Sequence, residues 1–206
     1  MKKKKEQDTE IIDRGAEAII LRDKGKIIKK RVKKKYRHKK IDQKLRKKRT
    51  RWEGRNMERV KSEINIPQIF DVNEKDKEIS MEFIEGDRLS EVLNGFPLKK
   101  QKEIIREIGE EVSKMHQQNI IHGDLTTSNM ILNENNIYFI DFGLSFHSLR
   151  VEDRAVDIHL LRQALEAKHF KTWKKLWKEF KENYNPKNNK KVLERLKKVE
   201  SRGRYK

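Results

Sequence analysis

Residues 122–143 read HGDLTTSNMILNENNIYFIDFG, and this stretch decides the fold. Asp124 is followed five residues on by Asn129, and twelve residues after that by Asp141-Phe142-Gly143. Between them, MIL and IYFID are short apolar runs around N-E-N-N, the pattern of a two-stranded hairpin. Such a hairpin presents an Asp and an Asn from the loop before it and a second Asp just after it. That set suits phosphoryl transfer. One carboxylate orients the nucleophile or takes its proton, while the amide and the second carboxylate hold magnesium against nucleotide phosphates. Asp, Asn and Gly also favour plain turns, but two motifs at this mutual spacing outweigh an accident of turn chemistry.

The pattern H-x-D-x-x-x-x-N followed by D-F-G resembles the catalytic and metal loops of protein kinases. At 206 residues the chain is shorter than a typical protein kinase, so the expected fold is a reduced one. Charged residues make up 41% and hydrophobic residues 34%, which leaves room for a core but not a large one. There is no cysteine, which excludes disulfides and thiolate metal sites. No apolar run approaches the roughly 18 residues of a membrane span, and the basic start MKKKKEQDTE lacks the apolar core of a secretory signal. These features predict a soluble, cytoplasmic protein without a membrane partner. The Lys/Glu-rich composition is compatible with a thermophile. Net charge is +19, and Lys24–Arg51 carries 17 basic residues against the single acid Asp42, or +16 of that total. A field so concentrated marks a polyanion partner, with nucleic acid the first candidate, although a basic run also serves as a solvated helix face.

Ahead of the central stretch, residues 10–32 read as strand, turn, strand, with Gly15 in a loop that could cover phosphates and Asp23-Lys24-Gly25 as a tight turn. A single glycine is a poor match to a glycine-rich loop, and an ordinary hairpin explains the segment equally well. In KIIKKR, period two places Ile27 and Lys29 on one face and Ile28 and Lys30 on the other. Either lysine could reach phosphate, and the alternation alone does not choose. Ile41 to about Lys61 is helical by pattern. At about 100° per residue from Leu45, Ile41 and Trp52 fall on the inward arc with Val60, and Glu53 lies on its flank. An inward carboxylate in a basic helix requires a cation partner, whereas an exposed Glu53 would pair with Arg49. Gly54 costs about 1 kcal/mol against alanine in a helix, and close packing or a mobile helix would account for it.

From Ile66 to Phe83, the alternation of Phe70, Val72, Ile79, Met81 and Phe83 predicts a hairpin closing a small sheet. The strand pattern ends at Met81–Gly86. The predicted division is therefore an N-terminal lobe over 1–82, a hinge over 83–86 and a helical lobe over 87–206. In the hinge region, backbone groups of residues 82 to 84, with Met81, would read adenine. Ile104, Ile108, Val112 and Met115 predict one buried helix stripe. Val156, Leu160, Leu161 and Leu165 predict a second, and Trp173, Leu176, Trp177, Phe180 and Tyr184 a third, all as core. A basic tail follows Val192.

Together, GAEA at 15–18, IIKKR, YRHKKIDQKLRKKRTRWEGR, HGDLTTSNM, IDFGLSFHS and the RGR tail closely resemble the small kinase/ATPase family of the KEOPS complex, relatives of the RIO kinases. The resemblance spans nearly the whole chain. It implies an α+β, reduced protein kinase-like bilobal fold. Asp124 would be the catalytic group, Asn129 and Asp141 magnesium ligands, Lys29 the phosphate lysine and Glu53 its partner. Gly15, Ala16, Ala18, Ile27, Met81, Glu82 and Ile84 would complete the ATP site, with ATP and Mg2+ as cofactors. Lys33, Lys34, Lys35, Arg37, Lys47, Lys48, Arg202 and Arg204 would be contacts for tRNA. Partners would be KEOPS subunits, chiefly the metal-dependent tRNA threonylcarbamoyl transferase, to which the module is fused in some archaea.

Gly54 stands where alanine is expected in that family. Against ordinary protein kinases, position 123 is Gly rather than Arg, only nine residues separate Gly143 from Asp153, and no A-P-E follows. The grip on a protein substrate is therefore reduced. The expected function is Mg-dependent ATP hydrolysis supporting threonylcarbamoyladenosine formation in tRNA. A Ser/Thr kinase acting on itself or on docked proteins is the alternative, and a nucleotide-sensing RNA scaffold a third reading.

Overall fold

β-Branched residues around the sharp Asp23–Lys26 turn build the first half of the molecule. In the computed structural model, which describes residues 10–15 and 17–202, strands β1 (Glu10–Arg14), β2 (Ala18–Asp23) and β3 (Lys26–Arg31) form a meander. Its second turn puts Lys24 and Gly25 at φ 46° and 79°, the left-handed geometry that tight hairpins use. Strands β4 (Ile69–Asn73) and β5 (Glu78–Glu82) complete an antiparallel sheet of order β1-β2-β3-β5-β4. Helix α1 (Lys39–Val60) packs on it.

Helix α1 is rotated from its predicted orientation. Ile41 and Trp52 are 57% and 44% exposed, while Asp42, Thr50, Glu53, Gly54, Met57 and Val60 are buried. Glu53 thus sits at the middle of the inward face rather than on its flank. The helix has too few apolar residues to set its own rotation, and the cations facing Glu53 set it instead. Gly54 is explained by packing. A Cβ there would lie 2.7 Å from Val72 Cγ2, so α1 approaches β4 closer than alanine permits. Phe70 is also displaced from its expected inward position. The register shifts between Ile69 and Asp71, a bulge that turns Ile69 toward the core and leaves Phe70 45% exposed beneath Lys26.

An extended link leads from β5 to β6 (Asp87–Arg88) and the short helix α2 (Leu89–Val92). Helix α3 (Leu98–Gln117) buries Ile104, Ile108, Val112 and Met115, the stripe its spacing predicts. After β7 (Ile120–Ile121), the hairpin of the central stretch forms as β8 (Met130–Asn133) and β9 (Asn136–Phe139), and β6 adds to its edge. A one-turn helix over Phe142–Leu144 and β10 (Phe146–His147), paired with β7, lead to α4 (Val151–Lys168). Helices α5 (Trp173–Asn183) and α6 (Asn189–Arg202) pack against α3 and α4 respectively. In α4, Val156 faces outward while Ala155, Ile158, Leu161 and Leu165 are buried. Asp157 fixes that rotation by accepting hydrogen bonds from the backbone N–H groups of His122 and Gly123, at 2.8 and 2.9 Å. Met57, Val60, Ile79 and Met81 join the apolar side chains of α3 to α6 in one continuous core. Among the described residues, no helix is long and apolar enough to cross a membrane.

Candidate functional site

Strand alternation and the rotation of α1 bring three charged side chains from distant parts of the chain to one point. Lys29 Nζ lies 2.5 Å from Glu53 Oε1 and 2.6 Å from Asp141 Oδ1, although Lys29 and Asp141 are 112 positions apart. Period two left Lys29 and Lys30 undecided. In the sheet Lys29 is buried, whereas Lys30 is exposed and paired with Glu78. Burial disfavours the charge on Lys29, but Glu53 and Asp141 outweigh it and hold the ammonium pKa above its ordinary 10.5. Burial likewise disfavours ionised Asp141, yet the Lys29 charge and the Gly143 N–H keep its carboxyl below the usual carboxylate range.

Asp141 has φ 58° and ψ 64°, a left-handed conformation that Asp tolerates better than most residues. Its Oδ1 accepts from Gly143 N at 3.1 Å, which caps the following turn. The turn is tied to α1 from behind: Asn56 Nδ2 donates to Ser145 Oγ at 3.0 Å, and Ser145 Oγ donates to Phe142 O at 2.6 Å. On the other side, Asn129 Nδ2 donates to both Asp124 O and Asp124 Oδ2, at 2.9 and 2.8 Å. Its amide oxygen is the atom left for a cation. The loop is anchored below by His169, whose Nδ1–H donates to Asn94 Oδ1 at 2.8 Å while Nε2 accepts from Thr127 Oγ1 at 3.1 Å. Burial and the Lys168 charge push the His169 pKa down to about 4, so the ring is neutral in the folded state near pH 7.

Gly123, where an ordinary protein kinase has Arg, has φ +79°, and a Cβ there would meet Leu144 O at 2.5 Å. The two functional loops touch backbone to backbone at this point, which excludes any side chain. His122 anchors the same junction. Its Nε2–H donates to Ile140 O at 3.1 Å, and its ring lies against Phe142.

A cavity of about 240 Å³ opens among Gly15, Ala18, Lys29, Asp124, Asp141 and Gly143. The other expected adenine contacts lie off it. Ile27 and Met81 are cross-strand neighbours packed into the core, and Ile84 is buried. Glu82 N–H donates to Gln68 O and Phe83 N–H to Gly25 O, which narrows the available backbone donors of residues 82 to 84 to Ile84 N–H. Ala16 and Arg204 lie outside the described residues, and Arg202 closes α6. The donor set is oxygen only. Among the described residues no three His, Cys, Asp or Glu side chains gather to cage a metal. Two carboxylates and an amide fit magnesium, which takes one or two protein carboxylates and otherwise uses phosphate and water.

Sequence reasoning missed Arg31 and Glu17. Arg31 is buried on the Lys29 face, with Nη2 2.5 Å from Glu53 Oε2. Its signal was period two, hidden inside a run of cations. Glu17 lies in the β1–β2 loop and receives Arg49 Nη1 at 2.7 Å and Arg37 Nη2 at 3.3 Å. Ion pairing also takes up much of the basic segment. Lys29, Lys30, Arg31, Arg37, Arg46, Lys47, Arg49 and Arg51 all meet carboxylates, although Lys47 only at 3.9 Å. Lys33, Lys35, Lys47 and Lys48 are exposed, the last over the Trp52 ring, while Lys34 is half-buried and bonded through its N–H to Asp42.

Comparison with known proteins agrees with this architecture. The RIO-domain model matches residues 20–150. The KEOPS complex subunit Bud32 of Pyrococcus abyssi is 42% identical over 184 residues, 87% of this chain and 84% of that protein. A probable serine/threonine-protein kinase BUD32 homolog of Archaeoglobus fulgidus is 36% identical over 93% of this chain and 94% of its own. A probable bifunctional tRNA threonylcarbamoyladenosine biosynthesis protein of Methanobrevibacter smithii is 39% identical, but this chain covers only 36% of its length. The crystal structure of the Rio2 kinase of Chaetomium thermophilum, a complex with ADP/Mg2+ and phosphoaspartate, superposes with a TM-score of 0.62 at 14% identity, over 78% of this chain and 55% of that one. The fold is thus kinase-like α+β, an antiparallel sheet with a helix followed by a helical part, and family membership implies ATP binding. The chain belongs to the RIO-domain kinase family, on its Bud32 branch.

Proposed function

We propose that this chain hydrolyses ATP with magnesium as a subunit of a KEOPS assembly, in support of threonylcarbamoyladenosine formation in tRNA. The carrying observation is the convergence of Lys29, Glu53 and Asp141 within hydrogen-bond distance, beside the cavity that Asp124 also lines. In this reading, residues 1–82 and 87–206 are the two lobes, joined by a hinge over 83–86. Bound magnesium would neutralise charge on the phosphates, with Asp141 and the amide oxygen of Asn129 as its protein ligands. Lys29, oriented by Glu53, binds phosphate oxygen. Asp124 orients a water molecule for in-line attack. A water oxygen–γ-phosphorus bond forms, the bond to the β–γ bridging oxygen breaks, its electron pair leaves with ADP, and the water proton passes to Asp124 and on to solvent. The names of the Pyrococcus abyssi and Methanobrevibacter smithii relatives support the KEOPS and tRNA assignments. The exposed lysines of 33–48 would meet tRNA phosphate.

The segment of nine residues between Gly143 and Asp153 offers little platform for a substrate peptide, which favours water as acceptor. The Archaeoglobus fulgidus relative's name favours a serine or threonine acceptor instead. Labelled ATP separates the two. Free phosphate released in proportion to ADP, rising with transferase and tRNA, supports hydrolysis, while label on protein at the rate of ADP release supports the kinase. Asp124→Ala should abolish turnover with nucleotide affinity retained, and turnover that persists would remove Asp124 from the mechanism.

A further inference from the structure

We infer that Arg31 is a second phosphate-binding cation, the group that makes the cavity prefer a triphosphate to a diphosphate; this rests on the reading of that cavity as the nucleotide site. Arg31 is 4% exposed, and its guanidinium shares Glu53 with Lys29, one carboxylate oxygen to each cation. It lines the same cavity as Lys29, Asp124 and Asp141. The tips of both cations meet at Gly143, where an added Cβ would stand 3.3 Å from Lys29 Nζ and 3.5 Å from Arg31 Nη2.

Holding Glu53 does not account for all of this side chain. Lys29 already neutralises Glu53, and Arg31 Nε is buried with no hydrogen-bond partner. A buried donor left without an acceptor is rare in a native protein, so Glu53 does not use the full hydrogen-bonding capacity of a guanidinium that also lines the cavity. The charges agree. As the cluster stands, Lys29 and Arg31 face Glu53 and Asp141, two cations to two carboxylates. Once Asp141 turns to a metal ion, Glu53 alone faces both cations, and one positive charge is left for phosphate.

Position along the strand assigns the roles. Strand β3 starts with Lys26 opposite Glu82, at the hinge end of the sheet, and runs away from it. Arg31 lies two residues beyond Lys29, about 6.6 Å farther from that end at ~3.3 Å per residue. Lys29 therefore falls to the inner phosphates and Arg31 to the terminal one. A guanidinium fork suits a phosphate with free oxygens better than an ammonium does.

Calorimetric titration of the full chain with Mg·ADP and with the non-hydrolysable Mg·AMP-PNP tests this, using the native sequence, Arg31→Met and Arg31→Lys. Arg31→Met should lose about tenfold or more in AMP-PNP affinity and no more than about threefold in ADP affinity, the scale of one charge-assisted contact. Arg31→Lys should fall between, and it decides by the same ratio if Arg31→Met does not fold. Parallel losses for both nucleotides, or no loss, would overturn the assignment and leave Arg31 as a clamp on Glu53. A native chain that binds neither nucleotide would overturn the nucleotide-site reading beneath it as well.

Discussion

Glu53 is the carboxylate shared by two buried cations, so its loss leaves Arg31 without a carboxylate partner and Lys29 with Asp141 alone. Glu53→Ala should lower the unfolding free energy by roughly 3–5 kcal/mol, the range for breaking a buried pair from one side, as read from the shift in urea midpoint at unchanged slope. The pH dependence of the cluster follows from its pKa directions. Lys29 is raised, so its contribution is complete below 10.5 and is lost as pH climbs through the higher folded value. Asp141 is depressed, so its contribution is present above 3.8 and is lost as pH falls through the lower folded value. Between those limits the contributions of Lys29 and Asp141 do not change with pH. His169 titrates inside that interval. Unfolded, it takes a proton near 6.5, while folded it resists down to about 4. Stability should therefore fall as pH drops from 6.5 to 4, and thermal melts of His169→Gln should be flatter across that interval, from a lower starting Tm. Asp124, Asn129 and Asp141 were legible as candidates because each stands at a fixed offset within a motif, whereas strand period left Lys29 and Lys30 open and helical period put Glu53 on a flank, so that only the family resemblance selected those two. Arg31 was not legible, because in KIIKKRVKKK sequence alone does not separate a buried cation from its solvated neighbours.

At the scale of the element, α1 positions the site through contacts its own sequence does not advertise. Asn56 reaches Ser145 behind the Asp141 turn, and Gly54 lets the helix settle on Val72. Gly54→Ala gains about 1 kcal/mol in helix propensity, yet the new methyl collides with a stiff, branched side chain, and overpacking costs about 1–3 kcal/mol. The net expectation is destabilisation, recovered in the double variant with Val72→Ala. A double-mutant cycle by urea denaturation should show that coupling, and additive losses would remove Val72 as the cause. The helix itself was evident from its period, but its rotation was not. Ile41 and Trp52 drew the inward face to the wrong side, because in a helix this basic ionic partners decide burial. The stripes of α3 and α5 were legible because apolar residues alone decide there. The bulge at Phe70 has no signature in alternation, since it is set by pairing with β5.

Across the whole molecule, the excess of positive charge is smaller in effect than in count. Eight of the 17 basic residues of Lys24–Arg51 are tied to carboxylates and Lys34 bonds Asp42 through its N–H, while Lys24, Lys26, Lys33, Lys35, Lys39, Lys40, Lys44 and Lys48 have no ion pair among the described residues. If about four to six of these lysines meet RNA phosphates, log affinity against log salt should fall with a slope of about −3 to −5. Replacing Lys33 and Lys35 together with alanine should reduce that slope by about 1.5 without altering basal ATP turnover. A slope unchanged by the double variant would move the contact elsewhere.

Glu17 adds a consequence of its own. The loop over the cavity is fastened to α1 and its approach by Arg49 and Arg37, through partly exposed charges that ions in the medium weaken. If the cleft holds nucleotide and the lysines hold RNA as proposed, brine should loosen both grips together, freeing the polyanion while unbuttoning the flap, so that ADP escapes faster in stopped-flow release at the ionic strengths where RNA lets go.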